Sequence, residues 1–218
     1  MTEIIVIRHG ETDYNRQLRF QGHADVPLND AGIAQARALA ARLADEAIDV
    51  VVASDLQRAR ATAEHALAPR RAPPPLAVAP AWREQAFGQL EGLDAPTILQ
   101  RHPELWAAWK RHDADYALPG GGESVRAFHA RVLGALQALA EAHAGRRVAV
   151  FTHGGVLDML WRTAHGLPLS GDRDCDIPNT GINRLRWQDG RLQIVQWADA
   201  AHLRGLAKQA AMRLPDPR

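Results

Sequence analysis

Cysteine is almost missing from this chain of 218 residues: Cys175 stands alone. That excludes an intrachain disulfide and any zinc site built from several thiolates, and it fits a reducing compartment. Lysine is nearly as scarce, with Lys110 and Lys208 the only two, so almost all positive charge is arginine, whose planar fork matches phosphate oxygens. Neither sign of charge dominates. A formal net charge of +1 provides no whole-molecule field for nucleic acid or an anionic membrane surface, so any anion must be held by a local cluster. No apolar run reaches the roughly 18 residues of a membrane span. The first such run, Ile4 to Ile7, is too short for a secretion signal and is followed at once by Arg8. These absences predict a cytoplasmic protein with no membrane or nucleic-acid partner.

What is present reads as one ordinary core. At 46% hydrophobic and 23% charged, a chain of this length is expected to form a single domain, here 1–212, with 213–218 as a loose C-terminal tail. Apolar segments alternate between strand and helix periodicity, which predicts an α/β fold: a three-layer α/β/α sandwich around a mostly parallel sheet. After a strand at 3–8 comes a polar loop, then a helix over 30–44 capped by Asn29, with Ile33, Ala36, Leu39, Ala40 and Leu43 on one face. A strand at 49–53 precedes Ser54 and Gln57, spaced as a capping box that would open a helix and place Arg58 in its first turns. A short strand is expected at 76–79 and an irregular stretch at 85–122, with short helices carrying Trp106 and Trp109. A long helix follows at 123–143, with Val125, Phe128, Val132, Leu136 and Leu139 as its buried stripe and His129 beside it in a structural role. A strand at 148–151, a helix at 156–165 and a hairpin joined through Asp189-Gly190 complete the pattern.

Two histidines stand just beyond two of these strands. Glu3-Ile4-Ile5-Val6-Ile7 breaks at Arg8-His9-Gly10-Glu11-Thr12, and Val148-Ala149-Val150-Phe151 breaks at Thr152-His153-Gly154-Gly155. Ligands of open α/β sheets bind outside the carboxyl ends of the strands, so two such ends can present His9, His153 and Arg8 to one anion. Taken singly, either histidine is more often an ordinary hydrogen-bonded side chain than a nucleophile; the pairing reverses the odds.

The segment Arg8 to Thr12 resembles the signature of the histidine phosphatase superfamily, the phosphoglycerate-mutase-like enzymes. The likeness extends in order through Asn15, Arg19-Phe20-Gln21-Gly22, Asp25 to Asn29, Gly32, Ser54 to Ala59, Glu84, Gly121-Gly122-Glu123-Ser124 and Thr152 to Gly155. It implies a phosphomonoesterase (a histidine acid-type phosphatase) that needs no metal or cofactor and forms a phosphohistidine on His9. Arg8 and Arg58 would grip phosphate oxygens, and a cationic His153 at a helix start would steady the transferring group. Asn15, Gln21, Gly22 and Gly154 would line the same pocket. The resemblance places the proton donor at Glu84, ahead of Glu11, which is expected to support its loop, and Glu91, which is expected to be solvated.

The substrate expected is a small phosphorylated metabolite. The first rival is a mutase, which forms the same phosphohistidine but returns phosphate to a sugar acid; the family's mutases carry a longer insertion between the acid and the second histidine. Here Glu84 and His153 are 153 − 84 = 69 positions apart, which resembles the compact phosphatase branch. Lys110-Arg111 keeps the mutase alternative open, and an alpha-ribazole phosphatase is a candidate subtype. Trp106 and Trp109 read as local core before substrate wall. A catalytically dead regulatory protein is disfavoured because Arg8, His9, Arg58, Glu84 and His153 are all present. No His-Glu-x-x-His spacing suggests a metallohydrolase. A homodimer is compatible with the chain, which does not fix its oligomeric state.

Overall fold

The computed structural model describes residues 1–111 and 113–206; the expected domain end at 212 and the tail beyond it lie outside these. The chain builds β1 (Thr2–Arg8), α1 (Asp13–Arg16), α2 (Asp30–Leu43), β2 (Val50–Ala53), α3 (Gln57–Leu67) and β3 (Leu76–Val78). There follow α4 (Ala95–Arg101), α5 (Pro103–Lys110), α6 (Val125–Ala142), β4 (Arg147–Thr152), α7 (Gly154–His165), β5 (Ile182–Gln188) and β6 (Arg191–Asp199). The strands form one sheet in the order β3-β2-β4-β1-β5-β6. β1, β2, β3 and β4 run parallel, while β5 lies antiparallel to β1 and carries β6 as the far edge. The closing hairpin therefore extends the parallel sheet, and its turn has positive φ at both Asp189 and Gly190, as a tight two-residue connection requires.

Three layers follow from the alternation of side chains along the strands. In β1, Ile4 and Val6 face a core shared with Phe128, Val132 and Leu136 of α6 and Val156, Leu157 and Leu160 of α7. Ile5 and Ile7 face the opposite core with Leu39 and Leu43 of α2 and Ala63, Ala66 and Leu67 of α3. Each fully buried leucine here contributes on the order of 2 kcal/mol. A third cluster lies away from the sheet, where Phe20, Leu90, Ala95, Ile98, Leu105, Trp106 and Leu118 give the 85–122 excursion a core of its own.

Local signals explain the element ends, with two corrections. Asn29 caps α2 by accepting from Gly32 N at 2.9 Å, as expected. The Ser54–Gln57 capping box does not form. Ser54 N is still bonded to Phe151 O at 3.0 Å in the sheet register, so the helix starts later; Leu56 is its N-cap with no side-chain bond. Gln57 N takes Asp25 Oδ1 at 2.7 Å instead. The loop after β1 also holds a one-turn helix, α1, closed by a reciprocal cap between Thr12 and Asn15. Helix α7 begins two residues ahead of the expected position, at Gly154, with His153 as its N-cap.

Candidate active site

The carboxyl ends of the neighbouring strands β1 and β4 bring the two histidines together, because His9 N is bonded to Thr152 O at 2.8 Å. The ring centroids of His9 and His153 are 5.2 Å apart. His9 Nδ1 is 2.7 Å from Gly10 O. A carbonyl only accepts, so Nδ1 carries the proton and the Nε2 lone pair remains for other chemistry. The loop that holds this ring is itself tied down: Gly10 N donates to Thr62 Oγ1 at 2.9 Å and Asn179 Nδ2 donates to His9 O at 2.8 Å. Asn179 was not among the residues singled out by sequence; it precedes β5, whose position beside β1 only the sheet order reveals.

Burial and the flanking cations Arg58 and Arg8 hold His9 well below its ordinary pKa, against the weaker opposing effect of its bond to Gly10 O. Burial, followed by Arg58, His9 and Arg8, does the same to His153. Both shifts favour the neutral imidazole, so the cationic His153 expected from the sequence needs an anion beside it to hold its charge. A dianion bound between the arginines would reverse that electrostatic balance. His153 is fully buried, and neither of its ring nitrogens has a partner among the described residues, a condition that costs about 1–3 kcal/mol per group in a folded protein.

The two arginines are buried and rigid. Arg8 Nη1 donates to Ile177 O at 2.6 Å. Arg58 Nη1 and Nη2 donate to Ala24 O and Gly22 O, each at 2.8 Å. Burial lowers both pKa values to about 10, so both stay charged at neutral pH. Gly22 has φ of +51°, and a Cβ there would overlap Glu91 Oε1, so glycine suits both the turn and the close packing of Glu91 against it. Glu91 is not solvated as expected: Oε1 accepts from His23 N at 2.9 Å and Phe87 N at 3.0 Å, closing this loop. Glu11 does support its loop, pairing with Arg16 at 2.8 Å and accepting from Asn29 Nδ2 at 2.9 Å.

Glu84 arrives from the other side. Its Oε2 accepts from Gly155 N at 2.9 Å and its Oε1 from Gln85 N at 2.9 Å. Glycine at 155 leaves room for this carboxylate, since a Cβ there would overlap Glu84 Oε1 and displace it. The segment carrying Glu84 is pinned by Arg131 of α6, which donates to Ala81 O, Arg83 O and Glu84 O at 3.0 Å and pairs with Glu123 at 2.7 Å. Sequence reasoning missed Arg131; the available signal was an arginine placed directly before Val132 in the apolar stripe of α6. His23 Nε2 also lies 3.0 Å from Glu84 O, which gives that histidine a structural task.

Arg8, His9, Asn15, Gln21, Gly22, Arg58, Glu84 and Gly154 all line one cleft of about 770 Å³; His153 is not among the lining residues, and its ring touches the site through His9, 5.2 Å away between centroids. Asn15 Oδ1 accepts from Thr12 N at 3.1 Å and Gln21 Oε1 accepts from Thr12 Oγ1 at 3.0 Å. These bonds orient the two amides at the cleft wall. The outer wall is aromatic: Phe20, Phe87 and Trp109 meet edge to face with centroids 5.2 to 6.0 Å apart. Trp106 is buried in the third cluster and also lines the cleft, so core and wall are not alternatives for this pair. Lys110 faces the cleft; Arg111 is exposed and does not line it. Burial beside Asp158 pushes the Cys175 thiol up to about 12, which leaves it unreactive. Among the described residues no helix is long and apolar enough to cross a membrane.

Comparison with known proteins converges on the same group. The model of the histidine phosphatase superfamily (branch 1) matches residues 4–200. The chain is 38% identical to phosphoglycerate mutase-like protein 4 of Arabidopsis thaliana, over 92% of this chain and 86% of that protein. It is 36% identical to a metal-independent phosphoserine phosphatase of the same organism, over 93% of this chain and 84% of that protein. Among solved structures, YhfR of Bacillus stearothermophilus superposes with a TM-score of 0.85 at 28% identity, covering 93% of this chain and all of that one.

Proposed function

Because the chain belongs to branch 1 of the histidine phosphatase superfamily, we propose that it is a metal-independent phosphomonoesterase acting on a small phosphorylated metabolite through a phosphohistidine on His9. One observation carries the reading: the Nδ1 proton of His9 is committed to Gly10 O, which leaves the Nε2 lone pair free for attack, and Arg8, Arg58 and Glu84 line the cleft that His9 also lines; burial and the two arginines favour the neutral ring this needs. His9 Nε2 attacks phosphorus while the ester P–O bond breaks, and Glu84 delivers a proton to the departing alkoxide. Arg8, Arg58 and the N-terminus of α7 spread the charge on the equatorial oxygens. His153 becomes more basic once the dianion is beside it and adds a donor at that moment. A water then attacks the phosphohistidine, Glu84 takes its proton, and inorganic phosphate leaves with His9 restored. The lone cysteine fits a reducing compartment, and we place the enzyme in the cytoplasm.

Lys110 on the cleft wall favours a second reading, the mutase, in which the phosphoryl group returns to a sugar acid. The compact wall argues for water access and phosphate release, since a mutase must retain a bisphosphorylated intermediate away from water. The deciding experiment incubates enzyme with 3-phosphoglycerate, with and without 2,3-bisphosphoglycerate, and follows phosphate and 2-phosphoglycerate together. Phosphate release from this or other monoesters, with little isomerisation, is expected. Fast interconversion without phosphate release would overturn the phosphatase assignment. His9→Ala is expected to abolish turnover and the acid-labile, alkali-stable phosphate trapped on the wild-type protein. Activity is expected to survive EDTA; loss restored by a divalent ion would sink the metal-free mechanism.

A further inference from the structure

Arg173 stands out among the cleft-lining charges because the rest of the site does not need it. It flanks the start of α7 opposite Arg8: a methyl group on Gly154 would lie 3.5 Å from Arg8 Nε and 3.7 Å from Arg173 Nη1. Its loop is held from within the protein. Arg162 of α7, almost fully buried, donates to Pro168 O, Ser170 O, Gly171 O and Asp172 O at 2.6 to 2.9 Å. The same guanidinium neutralises Asp158 through Nε at 3.2 Å. Arg173 reaches Asp158 Oδ1 only at 3.8 Å, beyond hydrogen-bond length, and its side chain remains 39% exposed on the cleft. Asp158 Oδ1 itself has no hydrogen-bond partner among the described residues although its residue is more than nine-tenths buried. Arg173 lines the cleft together with Asp172, Asp174 and Asp176 of its own loop, and among charged neighbours it is the one that most lowers the Arg8 pKa, which puts its charge close to the phosphoryl site.

This contrasts with Arg8 and Arg58, which carbonyls fix in place. A guanidinium with a built loop beneath it, no bidentate partner and an open face on the cleft is suited to an anion that arrives with the substrate. Resting on the phosphatase reading above, we propose that Arg173 is a specificity-determining residue that binds a carboxylate on the leaving group, so that phosphorylated hydroxy or amino acids are preferred over neutral or cationic phosphomonoesters. Arg162 acts through the loop as its positioning residue.

O-Phosphoserine and O-phosphoethanolamine differ only by the carboxylate, so their ratio isolates this contact. In the wild-type protein kcat/KM is expected to favour phosphoserine by about tenfold or more, the worth of one charge-assisted pair. Arg173→Ala is expected to collapse that ratio toward one, and Arg173→Lys to restore part of it. Equal losses for both esters would make Arg173 a phosphoryl ligand and overturn the proposal, as would an unchanged ratio. Binding of the same two compounds to the His9→Ala protein, with and without Arg173→Ala, gives a second reading that needs no turnover. If the wild-type protein hydrolyses neither ester, the affinity ratio alone decides the role of Arg173, and the phosphatase reading falls only if other phosphomonoesters release no phosphate either.

Discussion

The floor and the outer wall of the cleft are built by different means. On the floor, Arg8, His9, Arg58 and His153 are buried, sit at strand ends or in the first turn of a helix, and are tied to backbone carbonyls or packed against one another. On the wall, Trp109, Lys110 and Arg173 come from the 85–122 excursion and the loop after α7, and all are partly exposed. Rigid strand ends suit groups that must meet a phosphoryl centre within a fraction of an ångström. Loops suit groups that discriminate between leaving groups, because they vary without disturbing the sheet. The floor should therefore govern turnover, and the wall should govern selection.

The sharpest test of that division is Arg58→Ala. It removes a fixed charge from the floor, and a loss of about 10²- to 10³-fold in kcat/KM is expected for every ester tested, as for loss of one preorganised transition-state donor. A strongly ester-dependent loss would move Arg58 to the selecting side. Glu84→Gln is expected to slow alkyl phosphates by about 10²-fold or more and activated aryl phosphates much less, because an aryl oxide leaves without a proton. Single-turnover kinetics reads this step apart from water attack. Equal slowing of phosphoenzyme formation for both classes would exclude Glu84 as the acid.

Arg131→Ala tests the link between wall and floor. It unpairs Glu123 and releases three carbonyls of the segment that carries Glu84. A stability loss of about 2 kcal/mol is expected in urea titration, with the same bias against alkyl esters that Glu84→Gln shows. A stability loss with no change in that bias would limit Arg131 to a structural role.

Acid should act on the floor first. His9 and His153 are held neutral by burial and by Arg58, so their folded pKa values lie below the unfolded value near 6.5. Below that pH the unfolded chain binds the extra protons, and stability is lost as pH falls. From pH 7.5 to 5.5 the loss is on the order of 1 kcal/mol per histidine. The urea midpoint should drop across this interval, and His153→Asn should flatten the drop. An unchanged slope in that variant would mean that His153 is not the titrating group. The smallest effect is expected at Trp109→Ala, where one partly exposed ring of the aromatic wall is lost. KM should rise about fivefold with kcat little changed, roughly 1 kcal/mol of uniform binding.

The regular parts of this molecule were legible from periodicity alone. The β-branched run of β1, the apolar stripe of α6, the Asn29 cap and the Asp189-Gly190 turn each carry their signal within a few residues, because backbone geometry sets those patterns locally. The pairing of His9 with His153 was legible too, since both follow strands and ligands of α/β sheets gather at such ends. Ser54 misled because a local capping pattern competed with the strand register, and the sheet bond to Phe151 O prevailed.

The sequence by itself therefore determined the layers, the order of the proposed catalytic groups along the chain and the chemistry open to side chains of those types. Only the tertiary structure decided which arginines are pinned to backbone carbonyls and which lies on the cleft without such a bond among the described residues. Arg131, Arg162 and Arg173 look alike in the chain. One holds the segment of Glu84 to α6, one holds the loop after α7, and one faces the cleft with no bidentate partner. The physical reason is that a guanidinium's role depends on which carbonyls and carboxylates surround it, and those come from segments far apart in sequence that only folding brings together.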